Sequence, residues 1–135
     1  MKQLTEEFGK KAVLMLDEDL LNIEQAAYFI QHKIGNAFNL KISKLGGIYA
    51  SKSIYELAMD NGFACQLGAH FGESSLLTRA GVILACQAPN LVHREGALGT
   101  YLLEEDIVVS AIQQSKNGEL KVGMDTLDLE VTCEV

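Results

Sequence analysis

Four places in this 135-residue chain carry side chains able to move protons or hold a hard metal ion, and each closes a short apolar run. They are Asp17-Glu18 after "KKAVLML", Lys41 in "AFNLKIS", His70 with Glu73 after "FACQLGA", and Glu95 at the end of "NLVHRE". Lys41 is the most unusual of them. Phe38, Leu40 and Ile42 share one face by period two, which leaves Asn39, Lys41 and Ser43 on the other. If both faces of the strand are covered, the ammonium points into the fold. A lysine acts as a base only when desolvation or nearby positive charge pulls its pKa toward neutrality, and such a position can provide that.

The elements that must position these residues follow from periodicity. Lys10 to Leu16 has the length and residue types of a strand and is closed by Asp17-Glu18-Asp19. Asn22 is an N-cap candidate for a helix with Ile23, Ala26, Ala27, Ile30 and Ile34 at helical spacing, and Gly35 is its stop. The pattern continues with a strand in "AFNLKIS", a helix in "GGIYASKSIYELAMDNG" and a strand in "FACQLGA". A helix in "ESSLLTRAGVILACQA", ended by Pro89, and a short strand in "NLVHRE" complete it. This βαβαβαβ order with near-continuously apolar strands predicts a parallel sheet covered by helices, in which ligands gather where strands end. Beyond Gly96 the pattern changes. A helix is expected around Glu104 to Gln114, followed by the turn signal Asn117-Gly118 and two short strands.

Composition narrows the class of function. The net charge of −7 and eleven scattered Lys and Arg argue against a nucleic-acid partner. No apolar run is long enough to span a membrane, and "MKQLTEEFGK" lacks the apolar core of a secretory signal, so the default expectation is a cytoplasmic protein. Cys65, Cys86 and Cys133 are widely spaced in apolar settings and read as small buried hydrophobes, with neither a disulfide framework nor a metal knuckle.

The segments "LMLDED", "NLKISKLGGI", "CQLGAHFGESS" and "NLVHREGALGTYLLEED" resemble, in order, the last four barrel strands of the enolase superfamily, most closely its muconate-lactonizing branch. Asp17 and Lys41 stand twenty-four residues apart, as in that family, and Gly46-Gly47 follows at the family's place. The resemblance implies an α/β fold, the C-terminal half (strands five to eight) of a TIM-type barrel over residues 1–106. Residues 107–135 would be a helix and short strands returning to a capping domain. It also implies a Mg²⁺-dependent enzyme that abstracts the proton next to a carboxylate, by racemisation, epimerisation, cycloisomerisation or dehydration. In that comparison Asp17 is a metal ligand and Lys41 the acid/base. Glu18 stands behind the metal site, and His70, Glu73 and Glu95 contact a small carboxylate substrate. Lys44 reads as either solvent-exposed or backing the site. The chemistry is coherent, because a carbon acid beside a carboxylate loses its proton readily only where the new charge meets a metal in a dry site. Enolase-superfamily lysine bases with Mg²⁺ are a known pairing.

The same comparison implies that four earlier strands and two further metal carboxylates are missing, so the isolated chain is expected to hold Mg²⁺ weakly and to be inactive. Three accounts stand: a piece of a complete enzyme, with function belonging to the whole; a half-barrel that pairs with itself or a partner and serves as a binding or structural module; or an inactive remnant. A seventh-strand histidine such as His70 is atypical of the muconate-lactonizing branch and is used as a base in the mandelate-racemase branch. His32 and His93 read as structural, and Ser74-Ser75 as a helix cap whose amides could also receive an anionic group.

Overall fold

A parallel sheet lies at the centre of the fold, and Asp17, Lys41 and Glu95 stand just past its strand or bridge positions. The computed structural model describes residues 1–96, 101–109 and 111–120. Within them the order is α1 (Lys2–Phe8), β1 (Met15–Leu16), α2 (Ile23–Gln31), β2 (Ala37–Leu40), α3 (Ile42–Leu45), α4 (Ile48–Asp60), β3 (Ala64–Leu67) and α5 (Ser75–Gln87). The sheet order is β1-β2-β3, all parallel, with Met15 opposite Ala37 and Phe38 opposite Cys65. Parallel neighbours require crossovers, and the helices supply them.

All four residues of β2 are buried, as expected of a central strand covered on both faces. Leu16, Phe38, Leu40, Cys65 and Leu67 pack with Leu20, Ala26, Ile54, Tyr55, Ala58 and Leu84 into one core. Phe38 and Phe63 stack at a ring separation of 5.0 Å. At the start of α2, Asn22 Oδ1 accepts the Gln25 N–H at 2.9 Å, and Gln25 Oε1 accepts that of Leu21 at 2.7 Å, an N-terminal cap read correctly from the sequence.

Several boundaries differ from expectation. The first strand is two residues rather than the seven of Lys10 to Leu16. The chain turns at Phe8 to Ala12, where both Lys11 and Ala12 donate to the Phe8 carbonyl. The Asn36 amide ties that turn down by donating to Gly9 O and Ala12 O while accepting from Leu14 N. β2 ends at Leu40, one residue before Lys41, and the single-turn α3 follows. Ser43 therefore does not share a strand face with Lys41 and is exposed. Gly46 and Gly47 both have positive φ, 86° and 105°, which only glycine adopts at low cost, and they turn α3 into α4.

The fourth strand is reduced to one parallel bridge between Leu67 and Arg94. It is supported by Val92 N to Cys65 O, Leu67 N to His93 O and Glu95 N to Leu67 O, at 2.9 to 3.0 Å. The helix expected around Glu104 to Gln114 is absent among the described residues. The β-branched run Ile107-Val108-Val109 is a weak helix former. Asp106 is drawn to the start of α5 instead, where its Oδ2 accepts from Ser75 N at 2.9 Å and from Ser75 Oγ at 2.6 Å. Gln114 pairs antiparallel with Leu120 around the Asn117-Gly118 turn, and the remainder of the two expected strands lies outside the described residues. Among the described residues no helix is long and apolar enough to cross a membrane.

Candidate active site

Parallel strands place their C-terminal ends on one side, and Asp17, Lys41 and Glu95 each stand one residue beyond a strand or bridge position there. Lys41 is 8 % exposed, so the sequence-based expectation of an inward-pointing ammonium holds. Its Nζ lies 3.0 Å from Asp17 Oδ1 and 3.2 Å from Glu18 Oε1. Lys44, from the one-turn α3, reaches back to the same Asp17 Oδ1 at 3.0 Å and also donates to the Asp17 carbonyl. Its side chain is 8 % exposed, so of the two readings of Lys44 the solvent-exposed one is ruled out. Residues three apart on a helical turn share a face, and that spacing in "KISK" was the signal for it.

Burial alone favours a neutral Asp17, but hydrogen bonds from Asn39, Lys41 and Lys44 outweigh it and hold the carboxyl at about 2, below the usual 3.8. Lys41 behaves in the opposite way to a lysine prepared as a base. Burial pulls its pKa down, but the Asp17 and Glu18 carboxylates outweigh burial and the pKa is raised. The expectation of a lysine drawn toward neutrality is not met in this state, because both neighbouring charges are negative.

A second cluster forms past β3. His70 and Glu95 line one cavity of about 330 Å³ with Ala69, Phe71, Tyr101 and Leu102. Glu95 is held by Gln66 Nε2 and Ala69 N, both at 3.1 Å. Glu73 Oε1 accepts the His70 backbone N–H at 2.7 Å, so this carboxylate braces the loop that presents the imidazole. Of the Ser74-Ser75 amides, that of Ser75 is not free for an anion, since it is committed to Asp106. His32 closes α2 with Nδ1 at 2.9 Å from Tyr28 O, and His93 gives its carbonyl to Leu67 N.

Two polar residues escaped the sequence reading. Asn39 Nδ2 donates to Asp17 Oδ2 at 2.9 Å, and Asn39 stands in register with Gln66, which in turn holds Glu95. Asp17, Asn39, Gln66 and Glu95 thus form a polar row across the sheet and join the two clusters. Asn39 had been placed on the face of Lys41 by period two. That placement was the available signal, and a neutral amide in a strand gave no further one.

A family model described as enolase C-terminal domain-like matches residues 1–125. A chloromuconate cycloisomerase of Cupriavidus pinatubonensis is 27 % identical over 97 residues, 72 % of this chain and 26 % of that protein. The crystal structure of 2-chloromuconate cycloisomerase from Rhodococcus opacus 1CP superposes with a TM-score of 0.71 at 28 % identity, covering 87 % of this chain and 31 % of that one. The dipeptide epimerase of Enterococcus faecalis, in complex with Mg and the dipeptide L-Leu-L-Tyr, gives a TM-score of 0.72 at 23 % identity, over 84 % and 32 % of the two chains. The chain therefore spans between a quarter and a third of the length of these relatives.

Proposed function

The chain belongs to the enolase C-terminal domain-like family, and on that premise we propose that it contributes strands five to eight of a (β/α) barrel that abstracts the proton next to the carboxylate of a small substrate. The observation that carries this reading is the 3.0 Å contact between Lys41 and Asp17 at the C-terminal ends of adjacent parallel strands. Lys41 is the acid/base, and Glu18 and Lys44 hold it and Asp17 in place. Glu95 and His70 border the cavity that would receive the rest of the substrate, and Glu73 fixes the loop of His70.

Asp17 suits Mg²⁺ in donor type, since the ion takes hard carboxylate oxygens. The number of donors falls short: among the described residues no group of three or more His, Cys, Asp or Glu is placed to hold a metal ion. Asp17 would be one ligand of Mg²⁺, with other residues of the assembled barrel completing the set. When bound, the ion would supply positive charge where the substrate carboxylate gains electrons. Lys41, paired with two carboxylates, is held as an ammonium and so stands ready as a proton donor. To act as a base it must first lose the influence of Asp17, and a cation drawing on the Asp17 carboxylate would do this.

The test combines this chain with the complementary portion of a relative's barrel and follows exchange of a substrate α-proton in D₂O with Mg²⁺. Lys41→Ala and Lys41→Arg should both abolish exchange on the face Lys41 addresses, because arginine keeps the charge and does not deprotonate. Exchange that persists in both variants refutes the assignment. The short donor count favours a second reading, a non-catalytic half-barrel that self-associates or pairs with an N-terminal half. Carboxylate binding with no exchange in the assembled barrel would support it.

A further inference from the structure

Asn39 is buried to 5 % exposure beside the Asp17 carboxylate, with its Nδ2 2.9 Å from Asp17 Oδ2. A carboxylate only accepts hydrogen bonds, so the amide orientation is fixed by chemistry, with nitrogen toward Asp17 and oxygen away. The oxygen is buried and meets no donor. It lies instead over Gly68, where an added Cβ would fall 2.1 Å from Asn39 Oδ1 and 2.8 Å from both Asn39 Cγ and Nδ2. All three nearest atoms belong to Asn39. Gly68 is not among the glycines of positive φ, so the backbone conformation does not demand glycine there. The space does. The Gly68 N–H donates to Leu40 O at 2.9 Å, which fixes the glycine against β2.

We propose that Asn39 and Gly68 are a paired positioning device for Asp17: glycine at 68 leaves the space that seats the Asn39 amide, and the amide fixes one carboxylate oxygen. This assignment rests on the reading of Asp17 as a site residue. With Oδ2 tied to Asn39, Oδ1 is the oxygen turned to Lys41 and Lys44. An Asp17 without that tie can rotate about χ2 and exchange its two oxygens, so neither lysine keeps a fixed carboxylate oxygen of Asp17: Lys41 is left with Glu18 and Lys44 with the Asp17 carbonyl. The cost is an amide oxygen buried without a donor, which a site built for placement tolerates and a purely structural core would avoid.

The experiment uses the 135-residue chain without metal or substrate, so its result is independent of whether the assembled barrel catalyses exchange. Asn39→Ala, Gly68→Ala and the double variant are compared by denaturant unfolding and by the side-chain ammonium ¹⁵N–¹H signals of Lys41 and Lys44. Gly68→Ala should lower the folding equilibrium constant at least tenfold in the wild-type background and less than threefold in the Asn39→Ala background. The sharp ammonium signals should be lost in both single variants, while backbone signals of α2 and α4 stay in place. If Gly68→Ala alone does not fold, the double variant still decides, since it should fold as well as Asn39→Ala. Equal effects of Gly68→Ala in both backgrounds would overturn the pairing. Ammonium signals that persist in Asn39→Ala would reduce Asn39 to packing and overturn the positioning role.

Discussion

Asp17 is the shared partner of two buried ammonium groups, and its removal should therefore cost more than the removal of either lysine. In Asp17→Asn the shape is kept and the charge is lost, leaving Lys41 with only Glu18, whose side chain is 76 % exposed, and Lys44 with no carboxylate against its ammonium among the described residues. Deleting one member of a fully buried pair costs about 3–5 kcal/mol, whereas an exposed pair contributes about 0–1 kcal/mol. The Asp17 side chain is 37 % exposed, between these limits. A loss of about 2 kcal/mol, about thirty-fold in the unfolding equilibrium, is expected. Lys41→Met should cost less, about 1 kcal/mol, because an unbranched apolar chain fills the space and Asp17 keeps Lys44 and Asn39. Urea unfolding followed by circular dichroism, in EDTA, measures both, and an unchanged m value confirms that the same transition is compared. The Asp17 carboxyl is depressed from 3.8 to about 2, so its stabilisation is complete above the unfolded value and is lost as pH falls through the folded one. That acid limb should be missing in Asp17→Asn. Equal losses in the two variants, or an Asp17→Asn within about 0.5 kcal/mol of wild type, the span of ordinary surface changes, would refute the shared-partner reasoning.

Asn22→Ala removes the acceptor of the Gln25 N–H and should cost about 1 kcal/mol, read as a lower melting temperature. Cys86 is exposed rather than buried as its apolar setting suggested, because it lies on the outer face of α5, and in a Cys133→Ser background it should react promptly with a thiol reagent. Cys65 is fully buried, and burial pushes its thiol up to about 12, so it should react only on unfolding; matching native rates would contradict its burial. Asp106→Ala deletes the acceptor of both Ser75 groups and should cost about 1–2 kcal/mol. The Ile112 amide, which donates to Ser75 Oγ at 2.8 Å, should lose hydrogen-exchange protection.

The parts of the fold legible in the sequence were those with a strong period. The helices α2, α4 and α5 and the central strand β2 stand where apolar spacing placed them, and the order of elements follows. What was not legible depended on side chains reaching across the chain. The Asn36 amide shortens β1 from outside, twenty-two residues from Leu14, and Asp106 diverts a stretch that local pattern made helical. The candidate site divides in the same way. Lys41 and Asp17 were visible as strand-end charges, whereas Asn39 became visible only once the neighbouring strand showed where its amide is seated.

The all-parallel order also sets how the chain finds its structure. Met15 pairs with Ala37 and Ala37 with Ala64, at separations of 22 and 27 residues, so no strand has a nearby partner in the sequence. Closure entropy separates the two loops by only about 0.2 kcal/mol, from the logarithmic growth with loop length. Burial must decide, and β2 with β3 aligns four pairs of residues against two for β1 with β2. A nucleus in the middle of the chain, over residues 37–67, is therefore expected. Shortening Leu40 or Leu67 should slow refolding, whereas shortening Leu16 should mainly speed unfolding, as stopped-flow kinetics would read. On that order the half of the site that carries Lys41 would be in place before the strand that brings Asp17 arrives.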